Sequence, residues 1–125
     1  KSYAAIIPMT VKRIKMGIPP IIYGDGSKTR DFTAVEDVVR GAIAVMEKGK
    51  TGEIYNICSS RETTVLEMMD MIANELGYKG CYQFSDERQG DVTRHLGCNR
   101  KAMIELGWSP EIGLREAVRR AIREY

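Results

Sequence analysis

The chain has 125 residues, 43% of them hydrophobic and 29% charged, which suits one domain, residues 1–125, with a real core. Its 19 basic and 17 acidic residues leave a net charge of +2, too balanced to argue for nucleic acid or an anionic membrane surface as partner. No apolar run approaches the ~20 residues of a membrane span, no basic-then-apolar leader is visible, and the chain opens on Lys1 rather than Met, so its natural N-terminus is expected upstream.

In chain order, residues 9–16 read as a helix with Met9, Val11 and Ile14 on one side and Lys12, Arg13 and Lys15 on the other. Pro8 fits its first turn, and Gly17 with Pro19-Pro20 ends it. Ile21-Ile22-Tyr23 is a strand that places Ile21 and Tyr23 on one face. Gly24-Asp25-Gly26 then reads as the tight turn of a hairpin, with a returning strand over residues 29–34. Arg30 emerges on that return. Its planar fork suits an anion, although spacing alone favours an ordinary hairpin with a surface Arg.

A helix follows to residue 48, with Val35, Val38, Val39, Ala42, Ile43 and Met46 at helical spacing as its apolar stripe. Asp37 near its start complements the helix dipole, and no further role is assigned to it. Residues 52–57 read as a strand. Thr64-Val-Leu-Glu67 is a capping box opening the clearest helix, whose stripe is Val65, Met68, Met69, Ile72, Ala73 and Leu76. A short strand is expected at 81–84. In Arg88-Gln89-Gly90-Asp91, a base and an acid three apart around a Gly serve either two polar parts of one ligand or a local surface ion pair. Asn99 is expected to cap a helix over 100–106 that Gly107 stops, with Trp108 packed as an anchor. A last helix has Leu114, Ala117, Val118, Ala121, Ile122 and Tyr125 on one face and its arginines in solvent.

Cys58, Cys81 and Cys98 are odd in number and widely spaced, which fits reduced thiols of a cytoplasmic protein better than a disulfide framework or metal pair. The only histidine, His95, lies in a polar segment and reads as a surface residue.

The run Gly24-Asp-Gly-Ser-Lys-Thr-Arg-Asp-Phe32 followed by Val35-Glu-Asp-Val-Val39 resembles the C-terminal part of the extended short-chain dehydrogenase/reductases, the NAD-dependent nucleotide-sugar epimerases and dehydratases. Tyr55-Asn56-Ile57, Arg88-Gln89-Gly90-Asp91 and Leu106-Gly107-Trp108-Ser109-Pro110 follow in that family's order. The resemblance implies an α/β fold, the C-terminal portion of an extended Rossmann-type enzyme without its nucleotide-binding lobe, of about five helices and four or five short strands. It implies a nucleotide-sugar substrate, with a UDP or dTDP sugar favoured over a GDP sugar. Arg30 and Arg88 would hold the diphosphate and Asp91 the ribose hydroxyls. Asn56 would lie near the diphosphate, or else serve only strand-end hydrogen bonding. Ile21 and Tyr23 would flank the base, or else pack in the core and close an edge.

Three positions depart from the family. Cys58 stands where Gly is usual and would be strained if the backbone there needed positive φ. Ala34 replaces a bulkier Tyr or His and would loosen the substrate pocket. Cys98 replaces Asp. The family's cofactor turn, glycine-rich between a strand and a helix, is absent from the sequence, as is its catalytic Tyr-x-x-x-Lys. The expectation is therefore a substrate-binding portion that binds no cofactor alone, with NAD belonging to the intact enzyme. Its uncovered apolar surface and a free strand edge near 52–57 would be met by the missing lobe or by homo-oligomerisation. Two other classes stay open: a non-catalytic interaction or regulatory subunit, and an inactive truncated remnant.

Overall fold

The capping box at Thr64 shows how local sequence starts an element here. Thr64 Oγ1 accepts from the Glu67 N–H at 3.0 Å, and the Glu67 carboxylate accepts from the Thr64 N–H at 2.7 Å. Two of the N–H groups that a helix start leaves unpaired are thereby satisfied.

The computed structural model describes residues 5–125. Its elements are α1 (Ile6–Lys15), β1 (Ile21–Tyr23), β2 (Thr29–Arg30), α2 (Val35–Lys48), β3 (Thr63–Thr64), α3 (Val65–Glu75), β4 (Gln83–Ser85), α4 (Arg100–Leu106) and α5 (Leu114–Arg123). The fold is α/β, with five helices and four short strands among the described residues, as the sequence implies. β1 runs parallel to β4, with Ile22 opposite Phe84. β2 runs antiparallel to β3, with Arg30 opposite Thr63. No helix among the described residues is long and apolar enough to cross a membrane.

Two apolar clusters hold these elements. Val11 of α1, Met68 and Ile72 of α3 and Val118 of α5 are fully or almost fully buried against one another, with Ile14, Phe32, Leu114 and Ile122 around them. Burying such side chains stabilises by roughly 1.5–3 kcal/mol each. The second cluster joins Ala102, Leu106 and Trp108 to Ala44 and Val45 of α2 and to Tyr55 and Ile57. Here α2 approaches so closely that a Cβ on Gly41 would overlap Ile57 Cγ2, so only a glycine fits.

Asp37 joins the second cluster to the chain's last third, a role far beyond the dipole complement read from the sequence. Its side chain is fully buried. It accepts from the Glu111 N–H at 3.1 Å, the Ile112 N–H at 3.0 Å and the Arg40 guanidinium at 2.5 Å. Its own carbonyl receives the Trp108 indole N–H at 3.0 Å. Arg40 extends the clamp to the Ser109 carbonyl at 2.9 Å.

Several local expectations are corrected. β1 and β2 do not form a hairpin; they join different sheets. Asp25 Oδ1 folds back onto the Ser27 N–H at 2.9 Å, and Gly26 gives its carbonyl to the Leu66 N–H at 3.0 Å. With Gly24 and Gly26 both at positive φ, the turn diverts the chain onto the start of α3. The strand expected over 29–34 stops at Arg30, because Asp31 uses its carboxylate to receive N–H groups from Ser59, Ser60 and Gly97.

Residues 52–57 form no strand: no ladder partner exists for them among the described residues. The following turn is held instead by the Asn99 side chain, which donates to the Cys58 carbonyl at 2.9 Å rather than capping α4. Positive φ falls at Ser60 and not at Cys58, so Cys58 carries no such strain.

The α2 stripe is turned the opposite way from a core stripe. Val35, Val39, Ile43 and Met46 are 69%, 53%, 49% and 85% exposed. Asp37 and Gly41 point inward, because the polar clamp and the close approach to Ile57 fix the helix rotation.

Burial pushes the Asp37 carboxyl up, but the Arg40 guanidinium and the Ile112 and Glu111 N–H groups outweigh it, and the net shift is downward. A lowered folded value means that the stability it contributes is complete above the unfolded value of about 3.9 and is lost as pH falls through the folded one. Urea unfolding should therefore show wild-type stability falling below about pH 4, with Asp37→Ala flatter over that range. At neutral pH the Asp37→Ala variant should lose about 3 kcal/mol, since two backbone donors and Arg40 are stranded together.

Candidate functional site

The alternation of β1 sets the floor of the site. Ile22 points into the core and is fully buried, so Ile21 and Tyr23 face the other way. They line a cleft of about 450 Å³ closed by Ile6, Met9 and Thr10 of α1, by Phe32 and Val65, and by Arg30, Arg88, Asp91 and His95. Five of the six residues singled out in the sequence thus meet in one cavity. The sixth, Asn56, does not line it; its amide donates to the Cys98 carbonyl at 3.3 Å. Ala34 is buried and also lies away from this cleft, against α5 and Pro110.

Arg88 lies flat on Tyr23, its guanidinium carbon 3.8 Å from the ring centroid. Such stacking is worth about 0.5–2 kcal/mol and leaves the edge N–H groups free. One of them approaches Met9 Sδ at 3.7 Å. Among the described residues Arg88 has no carboxylate partner.

Arg30 is held differently. Its Nη1 donates to the carbonyls of Thr29 at 2.7 Å and Val92 at 2.6 Å, and its Nη2 bonds Asp91 Oδ1. The other Asp91 oxygen faces Lys28 Nζ at 3.5 Å, and Lys28 also reaches Glu87 at 3.5 Å. Lys28 is 6% exposed, unusual for a lysine and consistent with its two carboxylate partners.

These contacts tie residues 87–95 across β2 as a strap. The Thr29 N–H donates to Thr93 and the His95 N–H donates back to Thr29, at 3.0 and 3.2 Å. Arg94 forks onto both Glu62 oxygens at 2.6 and 2.9 Å, and the Thr29 hydroxyl donates to the same carboxylate at 2.6 Å. Arg94 first and Thr29 second hold the Glu62 carboxyl down to about 2, so it stays ionised at any ordinary pH.

No functional part was assigned from sequence to Lys28 or Asp31, and His95 was read only as a surface residue; it is exposed, and it also lines the cleft. Lys28 stands two residues before Arg30, so the period of an extended chain could have put both on one face. The partners of Asp31 and His95 come from distant segments and leave no local pattern.

A family model described as GDP-mannose 4,6 dehydratase matches residues 3–121. The chain belongs to the nucleotide-sugar epimerase and dehydratase family. It is 35% identical over 133 aligned residues to the dTDP-glucose 4,6-dehydratase of Haemophilus influenzae, covering 96% of this chain and 39% of that protein. The structure superposes with a TM-score of 0.92 on the UDP-glucose 4-epimerase of Thermotoga maritima solved with UDP-glucose, at 32% identity, over 98% of this chain and 39% of that one. It superposes at 0.87 and 26% identity on a mutant UDP-glucuronic acid 4-epimerase of Bacillus cereus in complex with a fluorinated UDP-sugar and NAD, over 96% of this chain and 40% of that one. The chain thus spans about two fifths of these family members.

NAD accompanies the Bacillus cereus relative. The turn after β1 does not fit the pyrophosphate of that group. β1 does lead into a glycine-containing turn, but the turn runs on to β2 and not to a helix N-terminus, so it offers no cradle of helix N–H groups.

If Arg30 fastens the strap, Arg30→Ala should raise amide exchange at Thr29 and His95 several-fold while the α3 amides stay protected. Unchanged exchange at both would mean that Lys28 and the Arg94–Glu62 pair suffice.

Proposed function

We propose that this chain is the nucleotide-sugar-binding part of an NAD-dependent epimerase or dehydratase, with a UDP or dTDP sugar as ligand. The observation that carries this reading is Arg88 stacked on Tyr23, with no carboxylate partner among the described residues, over an apolar floor. A nucleoside diphosphate matches those features in order. Its flat base lies against Ile21 and Tyr23 on the β1 face. Its phosphates take charge-assisted bonds from Arg88, and from Arg30 once Asp91 is turned aside. Its ribose hydroxyls donate to Asp91. Asn56 has no contact in this arrangement.

The redox chemistry of the family is supplied by NAD when it is bound, and this chain's residues contribute binding and orientation of the sugar nucleotide. The outward face of α2 and the unpaired segment at 52–57 are covered, in this reading, by the remaining lobe of the enzyme or by a second copy. Free Cys58, Cys81 and Cys98 fit the cytoplasm as its compartment.

Calorimetric titration with UDP-glucose, dTDP-glucose and GDP-mannose, with NAD as control, tests the proposal. A pyrimidine sugar should bind, and Arg88→Ala should weaken it about tenfold to a hundredfold, the loss expected for one charge-assisted anchor. Absence of binding to all three sugars, in a chain that is folded by circular dichroism, would favour an interaction subunit or an inactive remnant instead.

A further inference from the structure

The proposed ligand and the structure disagree about one residue. Arg30 is offered to a diphosphate, yet its fork is already occupied. Nη1 serves two carbonyls, and Nη2 serves Asp91. A phosphate reaching the cleft therefore meets a carboxylate lying across one of the two arginines that would receive it.

We infer that Asp91 is a specificity-determining residue: it screens Arg30 from bare phosphate anions and yields it only to a ligand that also brings hydroxyl donors. This inference rests on the nucleotide-sugar reading of the cleft. Asp91 Oδ1 turned off Arg30 needs a new donor, because Lys28 reaches only the other oxygen and a half-satisfied carboxylate beside an incoming anion is unfavourable. Inorganic diphosphate brings charge and no such donor. A nucleoside diphosphate brings both, since its vicinal ribose hydroxyls can satisfy the displaced oxygen. The gain at Arg30 and the gain at Asp91 are thereby coupled.

The surroundings suit a small rotation. Asp91 closes a turn in which its N–H donates to the Arg88 carbonyl at 3.1 Å, with Gly90 in the left-handed region. That turn can stay closed while the side chain swings. Lys28 stands behind Asp91 on the second oxygen at 3.5 Å. It is a positioning residue, which keeps the carboxylate at the cleft after Oδ1 has left Arg30. Arg88, stacked on Tyr23, is open to any anion and supplies the first contact.

The test compares UDP with inorganic pyrophosphate on the whole chain by calorimetry. Wild type should prefer UDP by about tenfold or more, the value of one or two charge-assisted hydrogen bonds. Asp91→Asn should bind pyrophosphate several-fold more tightly than wild type and UDP several-fold more weakly, collapsing the preference. Asp91→Ala should likewise tighten pyrophosphate and weaken UDP, and serves if the first variant fails to fold. Without any substitution, 2′,3′-dideoxy-UDP should lose most of the advantage of UDP over pyrophosphate. Pyrophosphate binding that is unchanged or weakened in the folded variants, or equal affinity for UDP and its dideoxy form, overturns the inference. Should wild type bind neither ligand, the nucleotide-sugar reading falls. The screen at Arg30 is then still decided by whether Asp91→Asn gains pyrophosphate binding.

Discussion

The buried carboxylate of Asp37 is the constraint from which the rest of the arrangement follows. It is fully enclosed, and a charge so placed is tolerable only with complete hydrogen bonding. Its partners are the backbone at Glu111 and Ile112 and the guanidinium of Arg40, one helical turn along. Satisfying them sets the rotation of α2 about its axis. That rotation puts Gly41 against Ile57 and Val45 against the Trp108 cluster. It also sends the valine and methionine stripe outward. One polar group thus overrides the orientation that hydrophobic periodicity alone would choose.

What the sequence revealed and what it concealed divide along the same line. The Thr64–Glu67 box, the Gly107 stop and the Met68–Ile72 stripe are local patterns, and each has its expected structural form. The α2 stripe is equally clear as a pattern but misleading as a guide to packing. Amphipathicity shows that a face wants burial, not which body buries it. The hairpin at Gly24-Asp25-Gly26 failed for a related reason. An Asp-Gly turn between two β-prone runs normally pairs them, but here the competing partners, Gln83–Ser85 and Thr63–Thr64, come from later in the chain. Long-range pairing is invisible to a reading that moves along the chain in short windows.

The cleft was legible in a different way. Ile21 and Tyr23 could be placed together by strand alternation, but nothing in their spacing brings Arg88 over the Tyr23 ring, 65 positions along the numbering. Family motifs joined them. Even so, motif matching treated Arg30 and Asp91 as two separate contacts for a ligand, whereas they face each other as an ion pair. Lys28 stands within the Gly24–Phe32 run but escaped because no ligand contact was attached to it, although it is among the most buried charged groups in the structure.

The separation between Asp37 and its partners also has a meaning in time. A chain growing on a ribosome presents Asp37 long before Glu111 and Ile112 exist. At synthesis rates of about 5–20 residues per second, the wait is roughly 4–15 s. Through that interval the carboxylate has Arg40 and water but no backbone donors from the last third of the chain. Contacts of such long sequence separation form slowly for entropic reasons as well. The cleft follows the same schedule, since β1 must wait for β4 and Arg30 for Asp91. The first forty residues contain most of the floor of the site, but its lining is complete only when the chain has been made as far as His95.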